Sequence, residues 1–222
     1  MVKAVIFDLD GTLLNRDASV QKFIGYQYER LREYLRHIPK EKYISRFIEL
    51  DCHGYVWKDK VYQQMVQEFS IQKMSWQDLL SDYVEEFQYS CVGFPNLIQM
   101  LTQLQGVVSL GIITNGKGIF QMDNIKALKI DPYFSSILIS EWEGMSKPNP
   151  ELFQKAALDL GVSVRECIYI GDHPINDIKG AEAVGMKTIW KKNPFWDKVE
   201  TDYVIEDLSE IPHYVSTNIQ WR

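Results

Sequence analysis

Two carboxylates, Asp8 and Asp10, stand at the end of a nearly unbroken apolar run near the N-terminus. Such a run predicts a strand that is buried on both faces of a parallel sheet. One carboxylate there could attack phosphorus, while the other protonates the leaving oxygen and later takes a proton from water. The pattern Asp-x-Asp-Gly also occurs in ordinary Asx turns and helix caps, so alone it leaves both interpretations open. A calcium-binding loop is excluded, because its twelfth position, counted from Asp8, would be Ser19 instead of a glutamate.

Three further groups of polar residues follow predicted strands or lie in a stiff loop. Thr114 and Asn115 come directly after a buried strand, where a hydroxyl, an amide and the N–H groups of a turn suit phosphate oxygens. Lys147 lies in a loop that two prolines stiffen, and its ammonium could neutralise a phosphate and nearby carboxylates. Asp172 ends another apolar run, and Asp177 follows five residues later. Each group also has an ordinary explanation: an Asn-Gly turn, a solvated lysine or a helix cap.

The carboxylates have the chemistry of a magnesium site. Mg2+ takes oxygen ligands in an octahedron and usually keeps several waters while it bridges carboxylates and phosphate. The side chains of Asp8 and Asp172, with the backbone carbonyl of Asp10, would form half of such a shell. Asp177 could bind the metal directly or through water, or it could orient Lys147. The resulting hypothesis is magnesium-dependent phosphoryl transfer with an aspartate nucleophile.

The elements that must position these residues alternate between strands and helices in the second part of the chain. Apolar runs predict buried strands, and amphipathic segments predict the helices between them. The predicted strands are the N-terminal run, 107–113, 137–139, 168–170, 188–190 and an edge strand at 203–205. The predicted helices are 95–104, 120–128, 151–160 and 175–184, and His173 is expected to shape the turn before the last. This pattern predicts an α/β fold with a parallel sheet, whose strand carboxyl ends meet at the ligand-binding edge.

Residues 15–91 differ from the rest, because helical periodicity dominates there and no convincing strand is present. Apolar residues at helix spacing predict four or five helices packed as a small bundle. The first strand has no partner until about Val107, so the helical block is an insertion into the α/β domain. We therefore expect a core formed by 1–14 and 92–222 and a separate helical domain formed by 15–91.

Composition limits the classes of function. The formal net charge of −6 argues against a nucleic-acid binder, which usually carries a basic face. No segment reaches the roughly 18 apolar residues of a membrane span, and the N-terminus lacks the regions of a signal peptide. We therefore expect a cytoplasmic protein that does not act on membranes. Cys52, Cys91 and Cys167 fit neither a disulfide framework nor a zinc motif, so they are expected to be free, buried thiols.

The sequence resembles the haloacid dehalogenase superfamily of phosphatases through motifs in a fixed order: Asp8-Leu9-Asp10-Gly11-Thr12, Thr114-Asn115, Lys147, and Gly171-Asp172 with Asp177. The resemblance implies a Rossmann-like, doubly wound parallel sheet with an all-α helical-bundle cap inserted after the first motif. It implies that Asp8 is the phosphorylated nucleophile and Asp10 the general acid/base. Thr114 and Lys147 would hold the phosphate, and Asp172 would complete the Mg2+ site. The founding dehalogenases lack an acid at the position of Asp10, so that residue favours phosphate substrates over haloacids.

The leading hypothesis is a magnesium-dependent hydrolase that removes phosphate from a small phosphorylated metabolite through an aspartyl-phosphate intermediate. A phosphomutase uses similar core residues but returns the phosphoryl group to its substrate, and it is the alternative within the enzyme class. A non-catalytic binding protein that keeps the fold is less favoured. A degenerate site would be expected to lack at least one of the charged residues Asp8, Asp10, Lys147 and Asp172. The sequence identifies neither the substrate, the cap residues that would contact it, nor the oligomeric state.

Overall fold

The computed structural model describes residues 1–196 and 199–216, and it contains a sheet of six parallel strands. The strands are β1 (Ala4–Phe7), β2 (Ser109–Thr114), β3 (Ser136–Ile139), β4 (Cys167–Gly171), β5 (Lys187–Lys191) and β6 (Tyr203–Ile205). Their order across the sheet is β3-β2-β1-β4-β5-β6. This is the order of a Rossmann-like, doubly wound sheet, and it confirms the predicted fold class.

Strand β1 lies in the middle of the sheet because all four of its residues are apolar and buried. It pairs with β2 on one side and β4 on the other, so that Phe7 lies opposite both Ile112 and Ile170. The N–H of Asp8 donates to the carbonyl of Ile170 at 2.8 Å, which extends the pairing one residue beyond the strand. Because these strands are parallel and in register, the segments that follow them leave the sheet at one common edge.

The chain divides into two compact units, one formed by Met1–Asn15 with Gly93–Arg222 and the other by Arg16–Val92. The second unit is helical and is inserted after β1, as predicted. Its α-helices are α1 (Arg16–Arg30), α2 (Arg32–Leu35), α3 (Lys40–Asp51), α4 (Lys58–Glu68) and α5 (Trp76–Glu86). The interpretation of the two units as a catalytic core and a cap stays a prediction.

Inside the helical unit, a buried glutamine holds four neighbours in place. The hydroxyls of Tyr43 and Tyr62 both donate to Gln27 Oε1 at 3.0 Å. Gln27 Nε2 donates to the Leu79 carbonyl at 3.1 Å and to Asp82 Oδ2 at 2.9 Å. Every polar atom of this amide therefore has a partner, as a buried polar group requires. Sequence periodicity did not reveal this network, because Gln27 occupies a core position that the pattern assigns to apolar residues.

The first unit contains six further α-helices within its described residues. They are α6 (Leu97–Leu104), α7 (Gly118–Ala127), α8 (Ser140–Glu143), α9 (Pro150–Asp159), α10 (Gly180–Ala183) and α11 (Ile211–Ser216). Buried side chains of α9, among them Phe153 and Ala156, belong to one apolar cluster with Ile6 and Ile113 of the sheet. This packing fixes α9 against the strands that carry the polar motifs.

Two segments differ in detail from their predicted form. The second strand begins at Ser109 instead of Val107, because the N–H groups of Val107 and Val108 bond back to the Leu104 carbonyl at the end of α6. The helix expected over 175–184 is a π-helix, Pro174–Lys179, followed by the short α10. Periodicity alone does not distinguish these two helix types over so few residues, and π-helical turns are frequent at functional sites.

The three cysteines are free thiols, as expected, but only Cys167 is buried. Cys91 is half-buried, and Cys52 is exposed because it starts a 3-10 turn with a φ of 46° at the end of α3. The expectation that all three thiols are buried was therefore wrong for two of them.

Among the helices of the described residues, none has the length and apolar character needed to cross a membrane.

A buried group of charges joins the start of α1, the end of α3 and the start of α4. Asp51 has a side chain that is 3% exposed, and its Oδ2 lies 2.8 Å from Arg16 Nη1. Its other oxygen contacts the ammonium of Lys58. Burial alone would raise the pKa of Asp51, but the two cations outweigh this effect and hold the pKa below its usual value. Asp51 therefore remains ionised in the folded unit and supplies the counter-charge for both.

We predict that Asp51→Asn lowers the free energy of unfolding of the helical unit by about 3 kcal/mol near neutral pH, because two largely buried cations lose the negative charge of Asp51. The pKa of Asp51 is lower in the folded than in the unfolded chain. Its contribution is thus complete above the ordinary pKa of an aspartate and is lost as the pH falls through the folded-state value. Denaturation of wild type and variant at a series of pH values measures the difference.

Glu49→Gln is the matched control, because Glu49 pairs with Arg46 at 2.7 Å but has a side chain that is 70% exposed. We expect it to change stability by less than about 0.5 kcal/mol. An Asp51→Asn effect as small as that of the control, or one that persists unchanged at acid pH, would contradict the assignment.

Candidate active site

Three carboxylates meet at the edge of the sheet where β1 and β4 end. Asp8 directly follows β1, Asp172 directly follows β4, and Asp177 lies in the π-helix that comes next. One oxygen of each residue lies within 4.8 Å of one oxygen of the other two. Asp8 and Asp177 are buried, whereas Asp172 is half-buried. The structure thus brings together the two predicted side-chain ligands and the predicted accessory acid.

Lys147 places its ammonium between two of these carboxylates. Its Nζ donates to Asp8 Oδ1 at 2.5 Å and to Asp177 Oδ1 at 2.7 Å. A third bond, of 3.1 Å, reaches the hydroxyl oxygen of Tyr169. The lysine side chain is 3% exposed, so all three ammonium hydrogens have protein partners in a site that little water reaches. This is a fixed cation, in contrast to the solvated surface group that a lone lysine usually is.

The backbone of Lys147 is held by Asn115, which follows β2. Asn115 Nδ2 donates to the Lys147 carbonyl at 3.0 Å, and the Lys147 N–H donates back to Asn115 Oδ1 at 2.9 Å. This reciprocal pair fixes the loop that carries the ammonium. The side-chain amide of Asn115 therefore contacts Lys147, and its predicted contact with phosphate stays a prediction.

The electrostatics of the site reflect three acids around one cation. Burial raises the pKa of Asp172 to about 7, and Asp177 adds to this effect. Burial also raises the pKa of Asp8, more than Lys147 lowers it. For Lys147 itself, burial lowers the pKa, but the charges of Asp177 and Asp8 outweigh it and the pKa lies well above the usual value. The carboxylates are therefore incompletely neutralised by the lysine.

The donor set fits a hard divalent cation. Carboxylate oxygens are the ligands that Mg2+ prefers, and here three such groups lie within reach of a single point. Burial, with repulsion between the acids, raises the pKa values of Asp8 and Asp172. A divalent cation bound among these carboxylates would favour their ionised forms.

Both oxygens of Asp177 are already engaged. Oδ1 accepts from Lys147 and, at 3.1 Å, from the hydroxyl of Tyr169, and Oδ2 accepts from the His173 N–H at 2.9 Å. Gly171 makes room for it, because a Cβ at that position would collide with the Asp177 carboxyl group. Of the roles open to Asp177, this arrangement favours orienting Lys147 over direct contact with a metal.

Asp10 and Thr114 share a partner that sequence analysis missed. Gln121 on α7 donates through Nε2 to Asp10 Oδ2 and to Thr114 Oγ1, both at 2.7 Å. The Asp10 carboxylate is not one of the three clustered acids, which agrees with a predicted metal contact through its backbone carbonyl only. That contact stays a prediction. The amide instead holds the carboxylate of Asp10 beside the hydroxyl of Thr114.

The turn after Asp10 packs tightly against the acids. Gly11 has a φ of 81°, and a Cβ on it would collide with the Asp172 carboxylate. Only glycine combines this conformation with so close an approach. Next to it, the hydroxyl oxygen of Thr12 is the one buried side-chain polar atom without a hydrogen-bond partner among the described residues.

His173 shapes the turn after β4, as the sequence predicted. Its Nδ1 accepts from the N–H groups of Ile175 and Asn176, at 3.0 and 3.1 Å, and so closes the start of the π-helix.

Two residues in and after β5 were not predicted from the sequence: Trp190 and Asn193 both donate hydrogen bonds to Asp172. Of the missed residues, Tyr169 and Trp190 had a usable signal, because a tyrosine hydroxyl or an indole N–H inside a buried strand needs a hydrogen-bond partner.

Comparison with known proteins agrees with this geometry. The family of haloacid dehalogenase-like hydrolases matches residues 5–191 of the chain. The glyceraldehyde 3-phosphate phosphatase of Methanopyrus kandleri is 30% identical over 85% of this chain and 83% of its own length. The same enzyme of Pyrococcus furiosus is 39% identical, but that alignment spans 46% of this chain and 45% of the relative.

Among solved structures, the magnesium-bound HAD hydrolase YfnB from Bacillus subtilis shares the fold. The TM-score is 0.78 at 23% identity, over 97% of this chain and 99% of that protein. The family match covers most of the sequence, including every residue of the polar motifs from Asp8 to Asp177. The resemblance seen in the sequence is therefore confirmed: this chain belongs to the haloacid dehalogenase-like hydrolases and is a phosphatase of that family.

Proposed function

We propose that this phosphatase hydrolyses monoesters of small phosphorylated metabolites, with Mg2+ as cofactor and Asp8 as the residue that is transiently phosphorylated. The observation that carries the proposal is the buried contact of Lys147 with Asp8 beside Asp172. A carboxylate nucleophile needs a nearby positive charge, because its dianionic substrate would otherwise be repelled. Lys147 provides that charge at a fixed position.

The reaction would proceed in two displacements. In the first, an oxygen of Asp8 forms a bond to phosphorus, the ester P–O bond breaks, and the leaving oxygen takes a proton from Asp10. In the second, water attacks phosphorus and gives its proton to Asp10, and the acyl-phosphate bond breaks to restore the Asp8 carboxylate and release inorganic phosphate. Gln121 would hold Asp10 in place for both transfers, through its bond of 2.7 Å.

The transferred phosphoryl group would be bound by residues at the end of β2 and in the loop after α8. The hydroxyl of Thr114 and the ammonium of Lys147 would contact its oxygens, together with N–H groups of the turn that begins at Asn115. Because Asn115 also fixes the backbone of Lys147, the two phosphate-binding loops would act as one rigid frame. Rigid donors need no reorganisation as charge develops in the transition state.

The proposed magnesium ligands are Asp8, Asp172 and the backbone carbonyl of Asp10, with Asp177 outside the direct shell. When bound, Mg2+ would offset the negative charge of the phosphate and of the carboxylates around it. A hard cation held by Asp8 and Asp172, with Lys147 between Asp8 and Asp177, would account for three carboxylates placed so close together in a buried site.

Small sugar phosphates are the substrate class that we propose to test first, because similar proteins bear the name of glyceraldehyde 3-phosphate phosphatase. A panel should include glyceraldehyde 3-phosphate, other sugar phosphates and nucleoside monophosphates, with release of inorganic phosphate as the readout. Formation of an isomer from glucose 1-phosphate, without release of phosphate, would instead indicate a mutase. We further propose a cytoplasmic location.

The Asp8→Asn variant is expected to lose turnover of p-nitrophenyl phosphate by at least about 10³-fold, because an amide cannot form the acyl phosphate. Circular dichroism should show an intact fold, since the amide oxygen can still accept from Lys147. Glu206→Gln is the control: its side chain lies in the same unit and is 73% exposed. Full activity in Asp8→Asn would show that another group is the nucleophile.

The Asp10→Asn variant is expected to be nearly as damaging, but the damage should depend on the leaving group. An alkyl phosphate needs a proton on its leaving oxygen, whereas p-nitrophenolate leaves without one. We therefore predict a loss of kcat/KM at least about 10-fold larger for the alkyl substrate than for p-nitrophenyl phosphate. Equal losses for both substrates would remove the role of proton donor from Asp10.

Removal of divalent metal with a chelator is expected to abolish hydrolysis of p-nitrophenyl phosphate, and added Mg2+ is expected to restore it, because the clustered acids otherwise repel the substrate. Initial rates at a series of Mg2+ concentrations give the activation constant. Full turnover by metal-free enzyme would contradict the proposed cofactor.

A further inference from the structure

Asp172 differs from the other two clustered acids in how it is held. Lys147 bonds to both Asp8 and Asp177, but its ammonium has no bond to Asp172 among the described residues. Asp172 is instead held from β5 and the loop that follows it. Asn193 Nδ2 donates to Asp172 Oδ2 at 2.7 Å, and the indole N–H of Trp190 donates to the Asp172 carbonyl, also at 2.7 Å.

The side-chain amide of Asn193 can take only one orientation. Its Oδ1 accepts from the Phe195 N–H at 3.0 Å, in an Asx turn, and its backbone carbonyl accepts from the Trp196 N–H at the same distance. A rotated amide would direct Nδ2 at an N–H group and Oδ1 at a carboxylate, so both bonds would be lost. The loop thus presents a donor to Asp172 at a fixed point.

The second constraint on the Asp172 carboxylate comes from the backbone of Gly11. The Asp172 carboxylate lies so close to the Gly11 backbone that a Cβ atom on Gly11 would collide with it. The carboxylate is therefore confined between Gly11 and Asn193. Oδ2 is occupied by the amide, and no described group donates a hydrogen bond to Oδ1. One oxygen is therefore anchored, and the other is available to a ligand.

We propose that Asn193 is a positioning residue for the metal site: it fixes the rotation of the Asp172 carboxylate so that one oxygen is directed at the divalent cation. This inference rests on the proposed function, because it presupposes that Asp172 binds Mg2+. Partners behind a metal ligand typically change metal affinity by 10–100-fold when they are removed. Asn193 has no predicted contact with substrate, so its effect should be on metal affinity and not on the chemical step.

The test is calorimetric titration of the metal-free protein with Mg2+, with no substrate present. Asn193→Ala is expected to weaken Mg2+ binding, which raises the dissociation constant by about 10-fold. In enzyme assays, the activation constant for Mg2+ should rise by the same factor, while kcat at saturating Mg2+ stays within about 3-fold of wild type.

Two further variants separate positioning from a general effect on the loop or on stability. Asn193→Ser keeps an oxygen that can accept from the Phe195 N–H, but its side chain is too short to reach Asp172, so it should lose affinity as Asn193→Ala does. Asn96→Ala is the control for an effect on stability. It removes the 2.8 Å hydrogen bond from the Asn96 amide to the Asp207 carboxylate, at a residue whose φ is 62°. It should lower the melting temperature and leave Mg2+ affinity unchanged.

Unchanged Mg2+ affinity in a folded Asn193→Ala variant would overturn the proposal, and so would wild-type affinity in Asn193→Ser. A loss of kcat at saturating Mg2+ with unchanged affinity would also overturn it, because Asn193 would then act on the reaction itself. If wild type binds no Mg2+, the cofactor of the proposed function fails and this inference fails with it. The wild-type titration therefore distinguishes the two failures.

Discussion

The buried ammonium of Lys147 makes the arrangement of the other charges possible. Asp8 and Asp177 are both buried and would repel each other without a cation between them. Lys147 lies within 2.7 Å of an oxygen of each, although it is 139 residues from Asp8 along the chain. A bond that joins the end of β1 to the loop after α8 fixes distant segments relative to one another. The rest of the site is built around this contact.

Neutral amides hold the charged residues of the site. Asn115 binds the backbone of Lys147, Gln121 binds the carboxylate of Asp10, and Asn193 binds that of Asp172. An amide can both donate and accept, and it fixes a charged neighbour without changing the net charge of the site. The site therefore keeps its excess of negative charge, which a divalent cation requires, while its acids are held in defined orientations.

The strands and the residues at their ends were predictable, because long apolar runs and the polar residues after them are local features of the sequence. The stiff loop around Lys147 indicated a fixed ammonium near the aspartates, but not which oxygens it would contact. Gln121 and Asn193 were not predictable, because an amide on a helix or in a turn resembles any solvated residue until the fold supplies its partner. The π-helix that contains Asp177 was hidden for a related reason: over a few residues, its periodicity is close to that of an α-helix.

Gly11 and Gly171 have a consequence for how such a site can vary. At each position, the space that a side chain would need is already taken by a carboxyl group, that of Asp172 at the first and that of Asp177 at the second. A methyl group at either position would have to displace an acid, so each glycine is required for as long as the aspartate that faces it is present. Natural or laboratory diversification of this enzyme should therefore leave these four positions constant and draw new specificity from other parts of the chain.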